Sequence, residues 1–219
     1  MRAVVMAVAM TIAGAGSLAA QTDRGYVTGF GGVSRTEDAT TGDYLGEAGV
    51  RVAPHLMVFG DVGRFQNLQP SAVQPAVDNT TTLLSSEGVS VTSRTRVPAW
   101  YSIAGLRYDA PGANRVSPYV LGGIGLARLT PSVQFAFASG TLPDGSTPTA
   151  GADITSQLVT AGDFTSPASS NALMMTLGGG VDVPMTRRWA VNAGYRFSRV
   201  QAGTPLNANG MTFGFGYRF

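Results

Sequence analysis

One histidine and no cysteine stand in this chain of 219 residues, and that alone narrows the chemistry it can perform. Proton transfer near neutral pH falls most readily to imidazole, and His55 sits in a short Pro54-His55 turn between two strand-like segments, where it reads as a turn residue. Serines are plentiful, but none has a credible histidine partner for a hydrolase relay. Thiol nucleophiles and thiolate metal clusters are ruled out by composition, and no acidic run has the spacing of a calcium loop. Gly178-Gly179-Gly180 lies within a strand-like segment and lacks a following Lys-Ser/Thr, so it is not a phosphate loop. The expectation is a protein that is not an enzyme, with no catalytic residue, metal or cofactor.

The informative charges are Glu47, Arg51, Asp61, Arg107, Asp182 and Arg196, with Arg128 and Arg218 as further candidates. They fall on the polar parity of segments in which polar and apolar residues alternate. Inside a narrow barrel such charges cannot all stay hydrated and must pair. Two roles follow: an ion-pair plug that fills the interior, or a gated narrow pathway in which the pairs rearrange. The plug is the preferred reading.

Eight segments of roughly ten residues carry the period-two pattern of barrel strands: 24–35, 43–53, 56–66, 97–110, 115–129, 171–184, 188–201 and 208–219. Short connections at 54–55, 111–114 and 185–187 alternate with longer ones at 36–42, 67–96, 130–170 and 202–207. In an up-and-down barrel this places both termini and the short turns at one end and the long loops at the other. Met211, Phe213, Phe215, Tyr217 and Phe219 share one face, against Thr212, Gly214, Gly216 and Arg218. The segment at 115–129 is apolar on both parities, which leaves its facing open. Tyr26, Tyr108, Tyr119, Trp189 and Tyr217 near one level, and Tyr44, Trp100 and Phe197 near the other, suit two membrane interfaces. In the loop at 67–96, Ser71 and Gln74 have capping-box spacing and the apolar residues recur at helical spacing, predicting a helix over 72–85. A second helix is predicted over 154–161. An extra hairpin using 132–140 is an alternative to a plain eight-stranded wall, and the same stretch could instead extend the fifth strand beyond the membrane.

Residues 1–20, with Arg2, an apolar run and the small residues before Gln21, have the order of a secretory signal peptide, leaving 21–219 as one domain. The net charge of +2 is dispersed and gives no nucleic-acid-binding stripe. Twenty-nine glycines scattered through apolar segments oppose long helices.

The last eight residues, Thr212-Phe213-Gly214-Phe215-Gly216-Tyr217-Arg218-Phe219, resemble the signal that ends bacterial outer-membrane barrels and is read by the barrel assembly machinery; Thr212, Gly214, Tyr217 and Phe219 carry the match. Pro118 to Gly125, Gly178 to Asp182, Trp189 and Gly194 to Phe197 resemble strands of the small OmpA/OmpX-like outer membrane β-barrel family. The resemblance implies an all-β, eight-stranded antiparallel transmembrane barrel in the outer membrane of a Gram-negative cell envelope. Outer-membrane lipids and the assembly machinery would be its partners, with an external ligand or protein at the loops. It implies a barrel-only protein, since no soluble peptidoglycan-binding half follows Phe219. A structural or surface-interaction role comes first, a narrow pore or transporter for small or apolar solutes second. A lipid hydrolase would need a histidine at the outer leaflet, and His55 is expected at the other side.

Overall fold

Exposure alternates residue by residue along the C-terminal strand: Thr212 is 1% exposed between Met211 at 61% and Phe213 at 62%. Apolar side chains outside and polar ones inside reverse the order of a soluble barrel, so the outer wall needs hydrocarbon around it. The computed structural model describes residues 24–37, 39–68, 70–111, 116–142, 144–203 and 205–219. The signal-peptide reading of 1–20 and the turn residues 112–114 lie outside these.

Among the described residues ten strands form: β1 (Gly25–Arg35), β2 (Thr40–Ala53), β3 (Leu56–Phe65), β4 (Ser90–Arg96), β5 (Ala99–Asp109), β6 (Ser117–Leu129), β7 (Ser132–Ser139), β8 (Ser170–Pro184), β9 (Trp189–Gln201) and β10 (Pro205–Arg218). Eight close an antiparallel barrel in the order β1-β10-β9-β8-β6-β5-β3-β2, and β4 pairs with β7 outside it. The start of β1, the end of β10 and the short connections after β2, β5 and β8 lie at one end, and the long connections at the other. The eight-stranded expectation holds, with boundaries moved by up to three residues.

The β4–β7 pair is the β5–β6 hairpin carried further. Trp100 pairs with Arg128 and Arg96 pairs with Ser132, four residues on along each strand, so the register is unchanged across the gap. Pro98 and Pro131 sit in that gap and lack N–H groups for the ladder; Thr130 N–H donates to Pro98 O at 2.9 Å instead. The extended-strand alternative for 132–140 is therefore correct, and the extra hairpin does not enter the wall.

The two helices cover this ribbon. α1 (Gln74–Ser86) buries Val77 and Leu84, in one apolar cluster with Val89, Val97, Val133, Phe135 and Phe137. α2 (Thr155–Ala161) buries Leu158, and Thr80 of α1 donates to Asp163 O at 3.1 Å beside it. The expected capping box is corrected: Val73 is the N-cap and makes no side-chain capping bond. For α2, Asp153 Oδ1 accepts from Thr155 N–H at 2.9 Å and its hydroxyl at 2.6 Å. These bonds hold the Asp153 carboxyl below its usual range. Gly162, at φ 90°, ends the helix in the left-handed region that favours glycine. None of the eight-strand hydrogen bonding uses α1, so deleting 74–86 should leave heat-modifiable electrophoretic mobility intact. Limited proteolysis should then cut within 130–170 at least tenfold faster, because the apolar face of β4–β7 loses its cover.

The registers fix the slope of the wall. Paired residues followed once round from Arg199 run through Met175, Ile124, Ala104, Gly60, Ala48, Val27 and Tyr217, and return to β9 at Trp189, ten positions lower. A shear of ten on eight strands tilts them by about 40°, and ten residues then rise about 25 Å, the height of an outer-membrane apolar band.

Candidate functional site

Inward parity brings five of the expected charges together. Arg196 on β9 lies between Glu47 of β2 and Asp61 of β3, donating Nη1–H to Asp61 Oδ2 at 2.7 Å and Nη2–H to Glu47 Oε2. Arg107 on β5 donates Nη2–H to Asp182 Oδ2 and Nε–H to Asp109 Oδ1 at 2.8 Å, and its Nη1 lies 3.7 Å from Glu47 Oε1. Arg218 reaches Asp182 at 3.1 Å. Arg51 stands apart and partly exposed, 3.9 Å from Asp109. Arg128 is corrected: it faces outward on β6 in the row of Val120, Ile124 and Leu126, whereas Tyr119, Leu121, Ala127 and Leu129 are buried inside.

Neutral partners fill the remaining valences. Tyr26 donates to Glu47 Oε1 at 2.5 Å, Tyr119 donates to Asn192 Oδ1 at 2.9 Å, and Asn192 Nδ2–H donates to Asp182 Oδ1 at 2.5 Å. The Arg107 guanidinium lies 3.9 Å from the Tyr119 ring centre and 4.8 Å from that of Tyr26, a cation held against two aromatic faces. Both tyrosines were expected at a membrane interface. They sit at that end of the wall, but inside it, because they share parity with the charges. Tyr108, Trp189, Tyr44 and Trp100 do face outward. Gly180 and Gly194 pair directly across β8 and β9, and a Cβ on either would come within 2.7 Å of the Tyr119 hydroxyl. A side chain at either position would push Tyr119 off Asn192.

The lumen is divided along its length. Toward the outer end Phe65, Ala127, Leu129, Met174 and Val200 are buried and continuous with Leu84, Val89 and Val97 of the loop cap, with inward Ser34, Thr41 and Ser198 beside them. Asp43 stands at that boundary, accepting from Tyr101 at 3.1 Å. At the opposite end a cavity of about 260 Å³ is lined by Arg51, His55, Asp109, Asn192 and Arg218, with Arg107 and Asp182 among its walls. His55 Nδ1 lies 3.0 Å from Asp109 O, and its φ of 63° marks it as the pivot of the β2–β3 turn. Tyr26, Asp43, Tyr101, Asp109, Tyr119 and Asn192 were missed as members of this network; inward parity on their strands was the available signal.

At the seam, Phe219 O accepts from Arg24 N–H at 2.6 Å and Gly25 N–H at 2.9 Å, and Phe219 N–H donates to Gly25 O at 3.0 Å. Thr212 points inward, Gly214 pairs with Phe30, and Tyr217 packs edge-on to Trp189 at 5.1 Å.

A family model described as the outer membrane protein beta-barrel domain matches residues 5–219. No curated protein matches the sequence. Among solved structures, Neisserial surface protein A aligns with a TM-score of 0.56 at 16% identity, over 89% of this chain and 97% of that one. Ail, the attachment invasion locus protein of Yersinia pestis, aligns with a TM-score of 0.49 at 13% identity, over 90% and 100%. The N-terminal β-barrel domain of Pseudomonas aeruginosa OprF aligns with a TM-score of 0.46 at 12% identity, over 90% and 99%. At 16% identity the likeness to Neisserial surface protein A is one of fold.

Proposed function

The chain belongs to the outer membrane protein β-barrel domain family and resides in the cell outer membrane, and from that premise we propose that it is a structural or surface-interaction barrel whose lumen is plugged by its own ion pairs and closed again by the apolar layer above them. The observation that carries this reading is the bonded chain Asp61–Arg196–Glu47–Arg107–Asp182 across β3, β9, β2, β5 and β8. Above it lies the apolar layer that merges with the loop cap. Two obstacles of opposite character lie in series: an ion meets the buried Phe65, Leu129 and Met174 side chains, and an apolar solute meets paired charges. What faces outward beyond the membrane is the cap built from 67–96 and 130–170, so an external ligand or protein would meet α1, α2 and β4–β7. No group at the outer end supplies the histidine a lipid hydrolase would use, and the protein acts without catalysis, metal or cofactor. Residues 1–20 direct export, and the C-terminal strand is the segment offered to the barrel assembly machinery.

Purified protein in planar bilayers should show no steady unit conductance. Sustained steps would favour the narrow-pore reading, whose physical basis is the cavity below Arg107. The mutant that decides between them is Arg107→Ala, which removes the constriction's central cation. Under the plug reading it remains silent because the apolar layer still closes the path; under the pore reading its conductance rises severalfold.

A further inference from the structure

The lipid-facing wall carries arginine at one height only. Arg35, Arg64, Arg128 and Arg199 all occupy exposed, outward positions near the outer ends of β1, β3, β6 and β9. A paired row descends ten residues over eight strands, so positions of equal height shift by about 1.25 residues per strand. Carried round from Arg199 by the registers, this level meets Trp100 on β5. Arg35 falls about half a residue above it, Arg128 about one and a half above, and Arg64 about one below. All four arginines thus fall within about 4 Å of one plane. Below them, down to Trp189, outward strand positions hold no charged residue, and none holds Asp or Glu. Arg64 lies 5.4 Å from the Trp100 ring centre, which ties the collar to the aromatic level of the interface.

A groove leads down the wall from this collar. Arg199 stands at its edge, Phe197, Leu177, Met175, Ile124 and Leu106 flank it, and Gly122 leaves its floor without a side chain; its volume is about 440 Å³. Arg128 and Arg199 are two strands apart and their paired rows meet β8 four residues apart, at Asn171 and Met175, which sets their Cα atoms roughly 16 Å apart, a gap that two extended guanidinium groups lying along the wall can close on one phosphate. Arginine suits that task through its forked donors and weak hydration. We propose that this wall is a binding site for a phosphorylated lipid of the outer leaflet, with its phosphate held by Arg128 and Arg199 and one acyl chain lying in the β5-β6-β8-β9 groove. The collar's charge selects the occupant: a neutral lipid would leave the arginines without a counter-charge from the membrane. The apolar trough selects a lipid over a free anion.

The test uses the mature chain in neutral detergent micelles. Trp189→Phe leaves Trp100 as the sole tryptophan reporter, since the chain has two. Titration with dioleoyl phosphatidic acid should give a saturable change in Trp100 emission. Dioleoylglycerol, with the same chains and no phosphate, should bind at least tenfold more weakly, and inorganic phosphate should neither reproduce nor compete for the change at millimolar concentration. Arg128→Gln with Arg199→Gln should weaken phosphatidic acid binding at least tenfold, and Gly122→Leu, which fills the trough, should weaken it severalfold. Equal binding of the two lipids would overturn the phosphate site, and saturation by inorganic phosphate would overturn the lipid as its source. Undiminished binding by the double variant would overturn the assignment to these arginines. The two-lipid comparison is made on chains that retain every arginine, so it stands whether or not the double variant folds.

Discussion

Replacing Arg196 by leucine is expected to lower the unfolding free energy of the barrel by about 3–5 kcal/mol, the range for breaking a buried pair by removing one partner. The reason lies in what remains. Glu47 and Asp61 are both buried, and Arg196 donates to each of them. Without it, two carboxylates face each other from adjacent strands at paired positions, with Tyr26 and the more distant Arg107 still beside Glu47. Arg196→Lys should lose somewhat less, because a cation remains between the two carboxylates, and what it does lose follows from an ammonium's inability to fork to both acceptors as a guanidinium does. The triple variant Arg196→Met, Glu47→Gln, Asp61→Asn should regain most of the loss, since an uncharged set leaves no isolated charge to desolvate. Urea titration of refolded protein in detergent, followed by electrophoretic mobility without heating, reads all three. A loss below about 1 kcal/mol for Arg196→Leu would mean that water reaches the group, and with it the closed lumen would fall.

The strands were legible because two solvents act on opposite faces of one wall, and period two records that contrast residue by residue. Where both solvents are apolar the record blurs. Inward Ala127 and Leu129 on β6 face the upper lumen and inward Leu121 stands beside Arg107, while Val120, Ile124 and Leu126 face outward, so neither parity stands out and Arg128 was assigned to the wrong side. Tyr26 and Tyr119 were read by height alone; their partners lie on β2 and β9, and only a shear of ten brings Glu47 and Asn192 to them. The same holds for the charges. Parity puts Glu47, Asp61, Arg107, Asp182 and Arg196 on the inner face, but strand registers decide which carboxylate each arginine meets, and a single-sequence pattern contains no registers. β7 was within reach as the 132–140 extension, but its partner β4 escaped, because Pro98 interrupts the alternation at the point where the hairpin leaves the wall.

Deleting Phe219 should separate two roles that its position combines. Its backbone closes the β1–β10 seam through bonds to Arg24 and Gly25. Losing two or three such bonds at a partly solvated edge should cost about 1–3 kcal/mol, at roughly 1 kcal/mol each. If closure were its whole contribution, the truncated chain would accumulate in cells in proportion to that modest loss, and Phe219→Ala, which keeps the backbone bonds, would behave as the unaltered chain. If the terminal ring is what the assembly machinery reads, Phe219→Ala should lower the folded outer-membrane population at least tenfold. The same variant, refolded from urea into detergent with no machinery present, should lose less than about 1 kcal/mol, because the ring stands exposed on the lipid side. The contrast between the cellular and refolded readings is the discriminating quantity. Thr212 and Gly214 offer the control: Thr212 is buried and Gly214 lacks room for a Cβ beside the Phe30 ring. Substitutions there should depress both readings together, since they act through packing of the closed wall and not through recognition of its end.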